Sequence, residues 1–219
     1  GAKAYGVIRV ASMADGSPIE IPVHIVNGVG PGPTLYVQAA AHGVEVPGVE
    51  VIRRIVTELD PGSLSGTLIA VPVANVLAFR ERRPSSMVDW RHGDLNRTFP
   101  GSPDGTITER MAHAIWTQCI KGKADYVIDL HGADIDGFGT YFTMGYPKSE
   151  ELAKVFGITC WEKKKETGHY GREYGSLGQI CNVNGIPAIT PEPEFFGRPF
   201  DEDLIKVFVR GIRNVMKHL

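Results

Sequence analysis

Residues 34–59 read TLYVQAAAHGVEVPGVEVIRRIVTEL. The first seven, TLYVQAA, form a short apolar run entered through Pro31-Gly32-Pro33, which reads as a strand. Pro47 then stands where the first turn of a helix tolerates a missing N–H. Val49, Ile52, Ile55, Val56 and Leu59 recur at helical spacing, and Asp60-Pro61-Gly62 ends the pattern. A strand therefore feeds a helix through a turn that carries His42 and Glu45.

The same alternation runs outward in both directions. Residues 5–10 and 19–26 read as strands around the Asp15-Gly16 turn, and residues 68–73 as another. An irregular stretch rich in Arg, Pro, Ser, Gly and Asp follows from Asn75 to about Gly105. So long a loop inside a compact domain is functional or disordered. Thr106 and Glu109 form a capping-box pattern ahead of a helix to about Ile120. Residues 126–130 read as a buried strand, 140–144 and 188–190 as further strands, and 149–156 and 176–183 as helices. Asp201 caps a last helix with Leu204, Phe208, Ile212 and Val215 on one face. The expected fold is α/β: three layers, with a mixed, largely parallel sheet and helices on both faces. In such sheets ligands bind outside the carboxyl ends of the strands.

The chain's 219 residues suit one domain of ordinary composition, 42% hydrophobic and 22% charged. A formal net charge of -2 points to neither a nucleic-acid partner nor an anionic membrane. No apolar run approaches the roughly 20 residues that span a bilayer. Gly1-Ala2-Lys3 leads straight into a strand pattern, so no signal peptide is expected. Cys119, Cys160 and Cys181 have no framework spacing, which suits reduced thiols and a cytoplasmic protein. Without a Cys-x-x-Cys pair, any metal would have to be held by histidine and carboxylate.

Four polar motifs each follow a predicted strand: His42-Gly43-Val44-Glu45, the arginine-rich loop ending in Asp94-Leu95-Asn96-Arg97, Asp129-Leu130-His131-Gly132, and Thr190-Pro191-Glu192. If those strands share one sheet and one direction, the motifs gather at its carboxyl edge. His42, Glu45 and His131 then offer zinc two imidazoles and a carboxylate with one position open. Gly43 would permit an unusual backbone between the first two. Zinc there would activate water and polarise a carbonyl. Glu192 is placed to take the water's proton and pass it to a leaving amine. An arginine would bind a substrate carboxylate and stabilise the oxyanion.

Each motif also has a plain reading. An isolated His-x-x-Glu is usually structural, His131 could be a core histidine, and Asp94 to Arg97 an ordinary turn. Glu192 and Glu194 alternate with prolines and could face solvent. Their shared position after strands favours the functional reading. His24, His92, His113, His169 and His218 need no function, although His92 or His169 could touch substrate. Tyr170 and Tyr174 beside His169 could form a rim.

The segments PGPTLYVQAAAHGVEVPGVE, GDLNRTFPG, YVIDLHG and GIPAITPE, in that order, resemble the succinylglutamate desuccinylase/aspartoacylase family, a branch of the carboxypeptidase A-like zinc hydrolases. The resemblance runs from about Val7 to the final helix. It implies a zinc carboxypeptidase-like fold, one Zn2+ per chain, and hydrolysis of an N-acyl amino acid. It implies zinc ligands at His42, Glu45 and His131 and a general base at Glu192, favoured over Glu194. Asn96 and Arg97 would hold a substrate carboxylate. Arg83 is the best match for the arginine that assists the scissile carbonyl, with Arg80, Arg82 and Arg91 as competitors. Residues 180–184 offer no arginine where some aspartoacylase-like members carry one, which counts against a diacidic substrate. Residues 1–219 read as a single catalytic domain, and the β-rich carboxyl-terminal domain of most relatives is not expected within them. The competing readings are a metallocarboxypeptidase, a non-catalytic metal-binding domain, and a domain with structural zinc. The sequence leaves a homo-oligomer open.

Overall fold

The computed structural model describes residues 1–90, 92–132, 139–143, 146–163, 175–192 and 201–219. Among them are eight strands: β1 (Ala2–Ser12), β2 (Pro18–Asn27), β3 (Gly30–Ala39), β4 (Ser65–Val71), β5 (Tyr126–Leu130), β6 (Gly139–Thr143), β7 (Cys160–Lys163) and β8 (Ala188–Glu192). They form one sheet in the order β1-β2-β4-β3-β5-β8-β6-β7. The four central strands, β4, β3, β5 and β8, run parallel, while β1, β2 and β6 join antiparallel to their inner neighbours. This is the mixed sheet the alternation of elements predicts. All four polar motifs therefore leave strands of one direction at one edge.

The helices are α1 (Pro47–Glu58), α2 (Val76–Glu81), α3 (Ile107–Ile115), α4 (Pro147–Phe156), α5 (Leu177–Val183) and α6 (Glu202–His218). They divide between the two faces. On one face α1, α4 and α6 cover Leu35, Val37, Ile128 and Ile189, with Phe156 and Phe208 at the centre. On the other, α2, α3 and α5 cover Ile21, Tyr36, Ile69 and Val127. Both faces of β3 and β5 are thus buried, which explains why they read as continuous apolar runs rather than as alternating ones.

Local chemistry fixes the helix starts. The Thr106 side chain accepts from the Glu109 N–H at 3.3 Å while Glu109 accepts from the Thr106 N–H at 2.7 Å, the predicted capping box. Asp201 accepts from the Asp203 and Leu204 N–H groups, each at 3.1 Å. Three features depart from the expectation. The stretch from Asn75 to Gly105 is not wholly irregular: it holds α2 and two single 3-10 turns, Met87–Asp89 and Leu95–Arg97. The helix after Thr106 changes to π geometry over Trp116–Ile120. Strand β7 was not anticipated. Among the described residues, no helix is long and apolar enough to cross a membrane.

Candidate metal centre

His42 and Glu45 lie in the turn between β3 and α1, and His131 follows directly after β5. One ligand atom from each lies within 4.8 Å of the other two. His42 Nδ1 is 2.7 Å from Glu45 Oε1, and His131 Nδ1 is 3.0 Å from Glu45 Oε2. Behind each ring stands an aspartate: His42 Nε2 faces Asp94 Oδ1 at 3.1 Å, and His131 Nε2 faces Asp129 Oδ2 at 3.0 Å.

A carboxylate only accepts hydrogen bonds, so each imidazole turns an Nε2–H toward its aspartate. In the neutral ring the lone pair is then on Nδ1, and both Nδ1 atoms face Glu45. A carboxylate behind a histidine in this way fixes the ring and raises its basicity toward a metal.

The electrostatics favour a cation. Burial works to lower the pKa of His42, but hydrogen bonds to Asp94 and Glu45 outweigh it and hold the ring at about 9. Burial likewise opposes protonation of His131, while the charges of Asp129 and Glu45 carry it well above the ordinary histidine value. Burial works to raise the pKa of Glu45, yet the two imidazoles hold it down at about 2. Protons on Nδ1 therefore balance the carboxylates when no metal does. Glu45 Oε2 is buried without a directional hydrogen bond. Two nitrogen donors and the one Glu45 carboxylate that both face fit a divalent ion of the zinc type, with a position left open.

The turn that carries His42 is pinned from both sides. The Ala74 and Asn75 N–H groups bond the Ala39 and Ala40 carbonyls at 2.9 and 3.0 Å, tying the end of β3 to the chain leaving β4. The backbone turns out of the strand at Ala40, with φ 52°, not at Gly43, whose φ is outside the left-handed region. Glycine is needed at position 43 for another reason. A Cβ there would sit 2.1 Å from the Ala78 carbonyl carbon, because the backbone of α2 presses on the turn. Asn75 caps that helix, accepting from the Ala78 N–H at 3.1 Å.

The remaining expected site residues surround this cluster to different degrees. The 3-10 turn that bears Asn96 and Arg97 is capped by Asp94, whose Oδ1 accepts from the Asn96 N–H at 2.9 Å as well as facing His42. Asn96 Oδ1 accepts from the Leu177 N–H at 3.4 Å, and Arg97 is exposed, donating to the Asn96 carbonyl. Glu192 is the half-buried last residue of β8. Its neighbour Pro191 accepts from the His131 N–H at 3.0 Å, so the end of β8 runs beside His131. Arg83 is exposed just beyond α2, its N–H on the Ala78 carbonyl, at the end of the helix that presses on Gly43. Arg82 closes α2 in a left-handed conformation, and Arg80 lines a groove with Tyr5, Val7 and Glu20. Arg91, Glu194 and the suggested rim of His169, Tyr170 and Tyr174 lie outside the described residues. Sequence reasoning gave no role to Asp94 or Asp129. Only the spacing of Asp129 and His131, two apart and hence on one strand face, hinted at the second.

The model of the succinylglutamate desuccinylase/aspartoacylase catalytic domain matches residues 31–219. The chain belongs to this family. It is 36% identical over 147 residues to the N-alpha-acetyl-L-2,4-diaminobutyric acid deacetylase of Halomonas elongata, a match that covers 64% of this chain and 42% of that enzyme. The match thus spans less than half the length of this relative. It superposes on a succinylglutamate desuccinylase/aspartoacylase from Rhodobacter sphaeroides with TM-score 0.83 at 26% identity, covering 99% of this chain and 65% of the other. The product-bound ectoine utilization protein EutE of Ruegeria pomeroyi gives TM-score 0.84 at 24% identity, covering 99% and 67%. A metallo-carboxypeptidase from Burkholderia cenocepacia gives 0.67 at 15%, covering 98% and 64%. The last two likenesses speak for the fold alone.

Proposed function

We propose that this chain is the catalytic domain of a zinc-dependent deacylase that hydrolyses the amide bond of an N-acyl amino acid. The observation that carries this reading is the convergence of His42 Nδ1, His131 Nδ1 and the Glu45 carboxylate, each imidazole backed by an aspartate. Kinship with a deacetylase that acts on an acetylated diamino acid supports the substrate class.

His42, Glu45 and His131 hold one Zn2+ per chain. When bound, zinc acidifies water and polarises the scissile carbonyl. Glu192 takes the proton of the attacking water and delivers it to the departing nitrogen as the C–N bond breaks, leaving a carboxylate and a free amine. Asn96 and Arg97 bind the carboxylate of the amino acid, the arginine as a fork. Arg83 supplies positive charge to the carbonyl oxygen as it becomes an oxyanion.

The test pairs metal content with turnover. Wild type, Glu192→Gln and the double variant His42→Ala/His131→Ala are purified without chelator and assayed on N-acetyl and N-succinyl amino acids, with a blocked dipeptide as the carboxypeptidase control. Expected are about one zinc in wild type and in Glu192→Gln, none in the double variant, and a loss of turnover of at least about 100-fold in Glu192→Gln. No zinc in wild type, before or after zinc is added, overturns the proposal. Cleavage of the dipeptide in preference to every acyl amino acid replaces the deacylase by a carboxypeptidase.

A further inference from the structure

Beneath the metal centre a chain of buried polar side chains runs back into the sheet. Tyr36 Oη donates to Gln38 Oε1 at 2.9 Å, and Gln38 Nε2 donates to Asp129 Oδ1 at 2.9 Å. Asp129 Oδ2 accepts from His131 Nε2 at 3.0 Å. None of the four residues is more than 4% exposed. Gln38 and Asp129 are register partners on the parallel strands β3 and β5, and Tyr36 is two residues earlier on the same face of β3.

The chain has only one workable polarity. An amide turned the other way would put its carbonyl oxygen against the Asp129 carboxylate, where two acceptors meet with no proton between them. The Tyr36 hydroxyl supplies a donor that holds the amide oxygen on its own side. Among the described residues, each Asp129 oxygen then has one side-chain donor, Gln38 for Oδ1 and His131 for Oδ2. Without Gln38, the buried Oδ1 is unsatisfied, and the carboxylate can regain a donor only by rotating away from the geometry that aims Nε2–H of His131.

We propose that Gln38, with Tyr36 holding its amide, is a positioning residue for the metal centre: it fixes Asp129, and through it the orientation of His131. This rests on the metal-binding reading of His42, Glu45 and His131. Outer-shell partners of metal ligands are typically worth about 10–100-fold in affinity. Gln38→Met keeps the volume and removes both hydrogen bonds. Tyr36→Phe removes only the hydroxyl that holds the amide.

The experiment measures Zn2+ affinity by chelator competition and the visible spectrum of the Co2+-loaded protein, for wild type, both variants and their combination. Thermal unfolding of the metal-free forms is followed in parallel. Gln38→Met is expected to bind Zn2+ about 10–100-fold more weakly and to change the Co2+ spectrum. Tyr36→Phe is expected to shift both in the same direction by less. Adding Tyr36→Phe to Gln38→Met is expected to cost no further affinity. A purely structural role would lower the metal-free melting temperature and leave affinity and spectrum unchanged, and that result overturns the proposal. If Gln38→Met does not fold, Tyr36→Phe decides by the same criteria. Failure of wild type to take up either metal overturns the metal-binding reading and this proposal together; uptake by wild type with unchanged variants overturns this proposal alone.

Discussion

Gly43→Ala is the sharpest test of how the turn that carries His42 and Glu45 is held. The added Cβ would lie 2.1 Å from the Ala78 carbonyl carbon and 2.3 Å from the Ala78 oxygen and the Phe79 nitrogen. Ordinary contact needs about 3.5 Å. The turn and α2 must therefore separate by about 1 Å or more, and the obstructing atoms are backbone, which no rotamer change removes. Overpacking of this kind costs about 1–3 kcal/mol, and rigid neighbours put the site at the top of that range. In a chain of this size each kcal/mol moves the melting temperature by about 2–4 °C, so a fall of about 6–12 °C is expected in calorimetry of chelator-treated protein. His42 moves with the turn, so on the proposed metal-binding reading Zn2+ affinity falls as well. Gly6→Ala is the control: nothing lies within 4 Å of its Cβ. That variant should melt within about 2 °C of wild type. If Gly43→Ala melts with the wild type, the close approach of α2 is not what requires glycine, and the reasoning fails.

Two further outcomes are expected. In chelator-treated protein His42 titrates at about 9, above its ordinary 6.5, so its contribution is complete below about pH 6.5 and is lost as the pH rises through about 9. That rise is worth at most about 3 kcal/mol, and urea unfolding should show lower stability at pH 9.5 than at pH 6, a difference that zinc loading removes; equal stability at both pH values would refute the paired imidazole. Thr106→Ala removes the acceptor for the Glu109 N–H and should cost about 1 kcal/mol in denaturant unfolding, with no change in metal affinity.

The central strands and long helices were legible because they are buried on both faces or amphipathic, and either property leaves a period in the sequence. Strand β7 left none: Cys-Trp-Glu-Lys is four residues long, and its extended form depends on pairing with β6. Helix α2 was hidden inside a stretch that composition marks as loop. It has six residues, too few for a helical period, and stands on the Asn75 cap and on its seat against Gly43. In both cases tertiary contact supplies what the local pattern lacks.

The site divides in the same way. His42 and Glu45 are three residues apart, and a short turn brings them together, so their proximity could be read from spacing. His131 required the further step that β3 and β5 run parallel, which the alternation of strands and helices supplied. The supports of these ligands needed register. Gln38 and Asp129 are 91 residues apart, and nothing local to either says that they meet. A shift of one residue between β3 and β5 would turn Gln38 to the opposite face from Asp129. Within the turn, Asp94 Oδ1 both faces His42 and caps the backbone that presents Asn96 and Arg97. A single carboxylate oxygen thus joins the proposed metal ligand His42 to the expected substrate-binding turn. Residue types that carry chemistry announce themselves in sequence, whereas residues that orient them do so only through strand pairing and turn geometry. For the same reason, the partnerships of Asp94 with His42 and of Gln38 with Asp129 emerged only once the sheet was assembled.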